Sequence, residues 1–423
     1  MDIRKLLALL LSVWLLLPLT VCAKTPKPSL LVYGDNIEAF AAAVQSSRSN
    51  IPTVWVIPAS SFAQECMRNQ LNITSNDMLD GGIWLDVLKR MSNTHNVVDS
   101  VIIATKRHLN PQDINNVLQE IIQQEKNLKI VYQACVKKMS FGKSNITVQL
   151  SNKEKYEVRS IVDASSDEQL KPFLEGDGAY LKPSKILPIT NLTVAARRTL
   201  VAMAEYDKQI WGYTLSDMLS RQHNKIFFTA SLIQVASDEN SIPLRIQVGQ
   251  AMGAIAGYCA FFKTTIDKID VRKLQSELLG FGTRLLPYRN ISSSDANYLA
   301  IQRIYLTGLY SNEDSFNQYD RSSQVYISNI QATILHMSSR SQLWFKNSER
   351  DQLDLAGLIS LIKNISFRGD ELDQLIEKEW HSKLKFERAY DKKLLSRYEF
   401  EVILDRYANP FSKTIDQSGN IMR

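Results

Sequence analysis

The stretch LRIQVGQAMGAIAGY, Leu244 to Tyr258, reads as a strand end carrying a cation, Arg245, that runs straight into a helix of small residues: Gly249, Ala251, Gly253, Ala254, Ala256 and Gly257. With so little side chain on one side, a helix opening there lets a flat ligand or another backbone approach closely, and the unpaired amides of its first turn attract anions. A second such place lies near the amino terminus. SLLVYGDNIEAFAAAV, residues 29–44, reads as an apolar strand, a turn at Gly34 and a helix opening that carries Ala39. A third stretch, VRSIVDASSDEQL, puts Asp163 at a strand end with Asp167 four positions on. Two carboxylates at that spacing suit acid–base work or a magnesium ion, although a strand-end carboxylate also serves as a cap. The five histidines, His95, His108, His223, His336 and His381, stand apart from any HExxH or GxSxG context. Cys66, Cys135 and Cys259 form no CxxC or Cys/His cluster, so no metal site is expected and buried free thiols are.

These pieces resemble the bacterial FAD-dependent oxidoreductase family with the glutathione-reductase type of FAD domain. In that family an Arg, a GQAxG turn and an alanine-rich helix face the flavin end of the cofactor, and Arg245, Gly249, Gln250, Ala251 and Gly253 match that pattern. The resemblance implies an FAD/NAD(P)-binding Rossmann-like domain, three-layer ββα, in which Gly34, Ala39 and Asp163 also hold the cofactor. Gly34 and Gly249 must then lie at one edge of one parallel sheet.

Elsewhere the chain departs from the pattern. The first turn, usually GGTPAG or similar, reads Gly34, Asp35, Asn36, Ile37, Glu38, Ala39, so two carboxylates sit where the FAD pyrophosphate belongs. The second strand ends in Ile57 rather than in the acid that bonds the ribose. Ser165 and Ser166 replace Thr and Gly of DATGDGD, and Ala230 and Ser231 replace Gly and Arg of NLLVAGRxISAS. Two readings stay open: an exported FAD-dependent oxidoreductase with an eroded site and FAD weakly held or lost, or a flavin-less, non-catalytic binding or partner subunit. No residue stands out as a general base, so no catalytic residue is named.

The elements that must position these residues follow the family order. A helix from about Pro111 to Lys126 carries a stripe of Ile114, Val117, Leu118, Ile121 and Ile122. Strands near 129–139, 145–150 and 156–162 make a small antiparallel meander leading into Asp163. A loop at 59–82, ending in Asp80, Gly81 and Gly82, stands where the family covers the flavin. Between Gly178 and His223 there is room for about one helix pair, where related flavoproteins carry a larger substrate domain. Ile269–Leu285 reads as a helix with a Gly-bearing stop, and Asp295–Ile334 as helix, loop and helix. Ser396–Ile421 begins with a helix that stops at Asn409 and Pro410. The expected organisation is thus a leader at 1–23, an oxidoreductase-like domain at 24–290 shortened at about 178–223, and a mostly helical region at 291–423. Tyr298, Tyr305, Tyr310 and Tyr319 in that last region suit helix packing, with a sugar platform as the alternative.

Composition sets wider bounds. A chain of 423 residues, 44% hydrophobic and 22% charged, can bury a substantial core. Its net charge of +6 is scattered, without the basic stripe and interleaved aromatics of a nucleic-acid surface. Arg4 and Lys5 precede an apolar run from Leu6 to Val21, with Val21 and Ala23 at small-residue positions before a cleavage site, so an exported chain starting near Lys24 is expected, periplasmic or extracellular. Val21 makes a lipid-modified Cys22 the lesser option. A small-molecule or glycan-related substrate and a cell-envelope partner fit that address.

Overall fold

A computed structural model describes residues 27–96, 98–174, 186–220, 225–310, 318–348 and 351–422. The expected leader with Cys22 and the start at Lys24 lie outside the described residues, as do Gly178 and His223. No helix among the described residues is long and apolar enough to cross a membrane.

Five short strands, β1 (Leu30–Tyr33), β2 (Thr53–Ile57), β3 (Leu128–Tyr132), β7 (Ser160–Asp163) and β11 (Ile226–Phe228), form a parallel sheet in the order β11-β7-β1-β2-β3. β1 pairs with both neighbours in register, Tyr33 standing opposite Val56 on one side and Asp163 on the other. Successive side chains in a strand point to opposite faces, and the sheet uses both. Leu30 and Val32 of β1 enter one apolar core, while Leu31 and Tyr33 enter another. The first core lies under the helices. The second is closed by the antiparallel meander β4 (Val136–Phe141), β5 (Ile146–Leu150) and β6 (Lys155–Val158), through Val136, Ile146, Val148, Leu150 and Val158. Helix layer, parallel sheet and meander are therefore stacked in three layers.

Two details correct the expected strands. The run at 129–139 is divided by Gln133, whose φ of 53° breaks the strand, so its first half joins the parallel sheet and its second half the meander. The run at 156–162 is likewise shared between β6 and β7.

On the helix side, α1 (Ile37–Arg48) follows β1, and α2 (Gly82–Met91), α3 (Asp99–Lys106) and α4 (Pro111–Gln124) fill the connection from β2 to β3. Asn110 caps α4, Pro111 occupies its first turn and the expected apolar stripe is buried. The short region after β7 is not a helix pair. It holds a three-stranded antiparallel sheet, β8 (Leu187–Pro188), β10 (Gln209–Thr214) and β9 (Leu200–Tyr206), with the one-turn helices α5 (Val194–Arg198) and α6 (Leu215–Leu219). β9 lies between two cores: Ala202 and Ala204 face the first core and Met203 a core shared with the carboxyl-terminal helices, and an irregularity at Val201, which the β10 pairing skips, puts Val201 in the first core and Leu200 in the second.

The central helix is α7, Ile242–Phe262, in which 18 of 21 residues are buried. A helix apolar all round has no solvent face to keep, so it runs through the interior. The expectation of a strand end before Gly249 is therefore corrected: Leu244, Arg245 and Ile246 lie in the first turns of α7, and Gly249 is in its body. α8 (Val271–Gly280) follows, capped by Asp270 and stopped near Gly282, whose φ is 74°. The rest is helical: α9 (Tyr298–Thr307), α10 (Ile327–Met337), α11 (Ser341–Lys346), α12 (Leu355–Ser366), α13 (Glu371–Glu379) and α14 (Arg397–Ala408). Ser396 and Glu399 form a reciprocal cap at the start of α14, and Asn409, at φ 46°, ends it.

Candidate functional site

The turn between β1 and α1 is where a dinucleotide would be cradled, and several of its hydrogen-bonding groups have protein partners. Gly34, at φ 137°, faces the chain that leaves β7, and a Cβ there would stand 3.0 Å from the Ala164 carbonyl carbon and the Ser165 nitrogen. Asn36 donates from Nδ2 to the Ala164 carbonyl and accepts the Ala39 N–H at 2.9 Å, acting as the cap of α1. The Ile37 N–H donates to Glu65 Oε1 at 2.8 Å. A side-chain carboxylate thus sits at the helix amino terminus, where the positive end of the helix dipole would otherwise draw a phosphate.

Glu38 does not point at that terminus as a bare charge. It is buried and meets Arg245 in a forked pair, Nε to Oε1 at 2.6 Å and Nη2 to Oε2 at 2.8 Å. The same Nη2 donates to Glu65 Oε1 at 3.1 Å. Burial acts against charge on both partners and pushes the Glu38 carboxyl upward, with Arg245 opposing it. At Arg245 burial works downward, but the Glu38 and Glu65 carboxylates outweigh it and hold the guanidinium above its ordinary value. The forked geometry at these distances is that of an ionised pair. Asp35 is exposed, and its carbonyl accepts the Ala63 N–H at 2.6 Å, which fastens the Glu65 segment over the turn.

The small residues of α7 are explained by its neighbour. A Cβ on Gly249 would come within 2.4 Å of the Glu38 carbonyl oxygen, and one on Gly253 within 2.4 Å of the Ala42 carbonyl oxygen. Ser46 donates from its hydroxyl to the Ala42 carbonyl at 2.7 Å and to the Gly253 carbonyl at 3.2 Å. α1 and α7 therefore run side by side with their backbones nearly touching, and Ala39 and Ala251 are buried in the same core. Gly249 packs against the helix that follows Gly34, with the α1 backbone as its immediate neighbour.

Gln250 is likewise engaged. Its amide donates to Gln45 at 2.8 Å, and its oxygen accepts the Ile83 N–H at 3.0 Å at the start of α2. Gln247 donates to the Gly81 carbonyl at 2.9 Å. The Asp80–Gly82 loop is thereby fixed on α7, and Gly82, at φ 57°, leaves the space in which Gln250 lies. Asp80 completes the anchorage: its carboxylate accepts Lys106 Nζ and Trp84 Nε1, each at 2.9 Å.

Asp163 behaves as a cap. It accepts Ser165 N–H at 3.0 Å and Leu170 N–H at 2.8 Å, and burial pushes its pKa up to about 6 against those bonds. Asp167 is exposed and does not join it. Cys66 and Cys259 are buried, and Cys135 is exposed, contrary to the expectation for all three. Burial pushes the Cys66 thiol well up, with Glu65 adding to it, which keeps it from being a nucleophile. The described histidines are exposed, and no group of three metal-ligating side chains occurs among the described residues. Of the tail tyrosines, Tyr310 and Tyr319 stack on the Arg397 guanidinium at 4.4 and 4.6 Å, and Tyr305 on Arg197 at 5.1 Å, so they pack helices together.

FAD does not fit this turn as it stands. A pyrophosphate would have to displace Glu65 from the Ile37 amide and Asn36 from the Ala39 amide. Sequence reasoning missed Glu65 altogether. The signal for Arg245 was present in the charge of Glu38, since a carboxylate buried in a helix opening requires a cation.

No protein-family model matches the chain, and a search of curated proteins finds no match. Among solved structures, bacillithiol disulfide reductase from Staphylococcus aureus is 14% identical over 33% of this chain and 38% of its own, with a TM-score of 0.22. A putative thioredoxin reductase from Bacillus anthracis is 8% identical over 32% and 36%, also at 0.22. OTEMO, in complex with FAD and NADP, is 12% identical over 34% and 26%, again at 0.22. The chain thus covers 26 to 38% of the length of these three structures, and likenesses this slight assign no family.

Proposed function

We propose that this chain is a flavin-less, non-catalytic binding or partner subunit built on a dinucleotide-type fold. The observation that carries this reading is the Glu65 carboxylate on the Ile37 amide, with Arg245 paired to Glu38 behind it. A ligand phosphate would have to replace an internal anion that costs no association entropy, because it is part of the same chain. The residues that resemble a cofactor-binding set, Arg245, Gly249, Gln250 and Gly253, support helix packing and loop anchorage instead.

The test is a spectrum and a titration. Purified protein should be colourless, without a flavin absorption band, and added FAD should keep its fluorescence without saturable quenching at micromolar concentrations. A yellow protein with stoichiometric FAD would overturn the reading and restore an FAD-dependent oxidoreductase. The leader residues Arg4, Lys5 and Leu6–Val21 support export as part of the same proposal. Amino-terminal sequencing from the native host should find a start near Lys24, and an intact Met1 on cytoplasmic protein would refute export.

A further inference from the structure

At the edge of the parallel sheet opposite the β1–α1 turn, where the strands begin, all three layers present exposed side chains. β1, β7 and β11 open there at Leu30, Ser160 and Ile226. α7 ends beside them: a Cβ on Gly257 would touch Ile51, just before β2, and Arg159 donates from Nη1 to the Ala260 carbonyl at 3.5 Å. The hairpin between β4 and β5 reaches the same edge from the meander. Phe141, Ile146 and Val158 lie abreast at the end of β6 that leads into β7, and Lys225 Nζ donates to the Lys143 carbonyl at 3.0 Å.

Phe261 is 60% exposed, Phe262 51% and Phe141 44%, so phenyl rings stand in water on both margins of one edge, the mark of a contact surface. Cations lie among them: Lys27, Lys143 and Lys263 are exposed, and Arg159 and Lys225 half-buried. With Lys268 and Lys273 of the adjoining turn and helix these make seven cations, against the four carboxylates of Glu157, Asp267, Asp270 and Glu277. Residues 22–26 and 221–224, which adjoin Lys27 and Lys225 in sequence, contain no carboxylate. A second copy docked on this face would set its excess lysines against one another. An anionic bilayer suits both kinds of group, because the acyl boundary takes the rings and the headgroup phosphates take the ammonium ions. The described chain also starts here, at Lys27, separated from the apolar run Leu6–Val21 by residues 22–26 alone, so a membrane entered by that run lies against this edge. We infer that this edge docks on an anionic lipid bilayer, with Phe261 and Phe262 at the level of the headgroups and Lys27, Lys143 and Lys263 on lipid phosphates. The inference stands apart from the state of the β1–α1 turn, which lies at the other edge.

Vesicle sedimentation tests it, on the chain from Lys24, which keeps every described residue and lacks the apolar run that could insert by itself. The protein should pellet with vesicles of phosphatidylglycerol and phosphatidylcholine in about equal parts, less with phosphatidylcholine alone, and less as salt is raised. The double variant Phe261→Ser, Phe262→Ser should weaken this binding about tenfold or more through lost apolar contact. Lys143→Glu should weaken it about tenfold, whereas Lys171→Glu, the same change of charge beside the Asp163 cap at the opposite edge, should leave it unaltered. All four side chains are exposed, and circular dichroism reports on folding in each variant. No pelleting with the mixed vesicles, binding unchanged in the double Phe variant, or equal losses in Lys143→Glu and Lys171→Glu would overturn the inference. Lipid-free dimerisation abolished by the double Phe variant would assign the face to a second copy and overturn it as well.

Discussion

Arg245 meets Glu38 through two hydrogen bonds, 2.6 and 2.8 Å long, that join residues 207 positions apart at the openings of α7 and α1. Both side chains are buried, so each charge depends on the other for its solvation. Replacing one member of such a pair leaves the other uncompensated, at a cost of about 3–5 kcal/mol. Arg245→Met should therefore lower the unfolding free energy by that amount in urea denaturation. The double variant Glu38→Met, Arg245→Met should recover most of it, and equal losses in the single and double variants would show that the pair is not what stabilises this contact.

Glu65→Ala removes the carboxylate from the Ile37 amide and leaves the Glu38–Arg245 pair in place. The freed Ile37 amide, beside the Arg245 Nη2 hydrogen bond that Glu65 gave up, should then accept an external anion. Calorimetric titration with pyrophosphate should show millimolar binding in the variant and none in the parent. If parent and variant respond alike, Glu65 does not occupy a phosphate position.

The contact between α1 and α7 predicts a contrast between two glycines. Gly253→Ala would force a methyl to within 2.4 Å of the Ala42 carbonyl and should destabilise by about 1–3 kcal/mol or more, seen as a lower thermal midpoint. Gly280→Ala meets nothing within 4 Å and should be neutral or slightly stabilising. Equal midpoints for the two variants would contradict the close approach.

Stability should depend on pH in a definite direction. Burial raises both Asp163 and Asp405 to about 6, above the value of an unfolded chain, so the native state holds more protons than the unfolded state between about pH 4 and 6. Their contribution is complete below pH 4 and is lost as the pH rises through 6, by up to roughly 3 kcal/mol for each group. Glu379 acts in the opposite sense at lower pH: bonds from Lys383, Tyr407 and Arg406 hold it down at about 2, so its contribution is present above its ordinary value and lost as the pH falls through 2. Asp405→Asn should flatten the fall between pH 4 and 6 in urea midpoints, and an unchanged slope would remove Asp405 as a source.

Much of the scaffold was legible locally. β2 ends at Ile57, Asp163 closes β7 and caps the turn after it, Asn110 and Pro111 open α4, and Asn409 ends α14. Strand alternation, helical stripes and caps are properties of neighbouring residues, so a linear reading finds them. The opening of α7 was available too, in Pro243 near its first turn after Asp238 and Ser241, but the resemblance to a strand followed by GQAMG prevailed over that signal.

By itself, then, the chain determined the first strand, turn and helix, the helix opened by Pro111, the small-residue face of Gly249 and Gly253, and the presence of two carboxylates in the first turn. Only the tertiary structure decided what those features do. It brought Glu65 to the Ile37 amide and Arg245 to Glu38. It also made a sheet of β8, β9 and β10, where local pattern admitted helices. The physical reason is range: a cap or a stripe is settled within a few residues, whereas the neutralisation of a buried charge depends on which distant segments the packed core sets side by side.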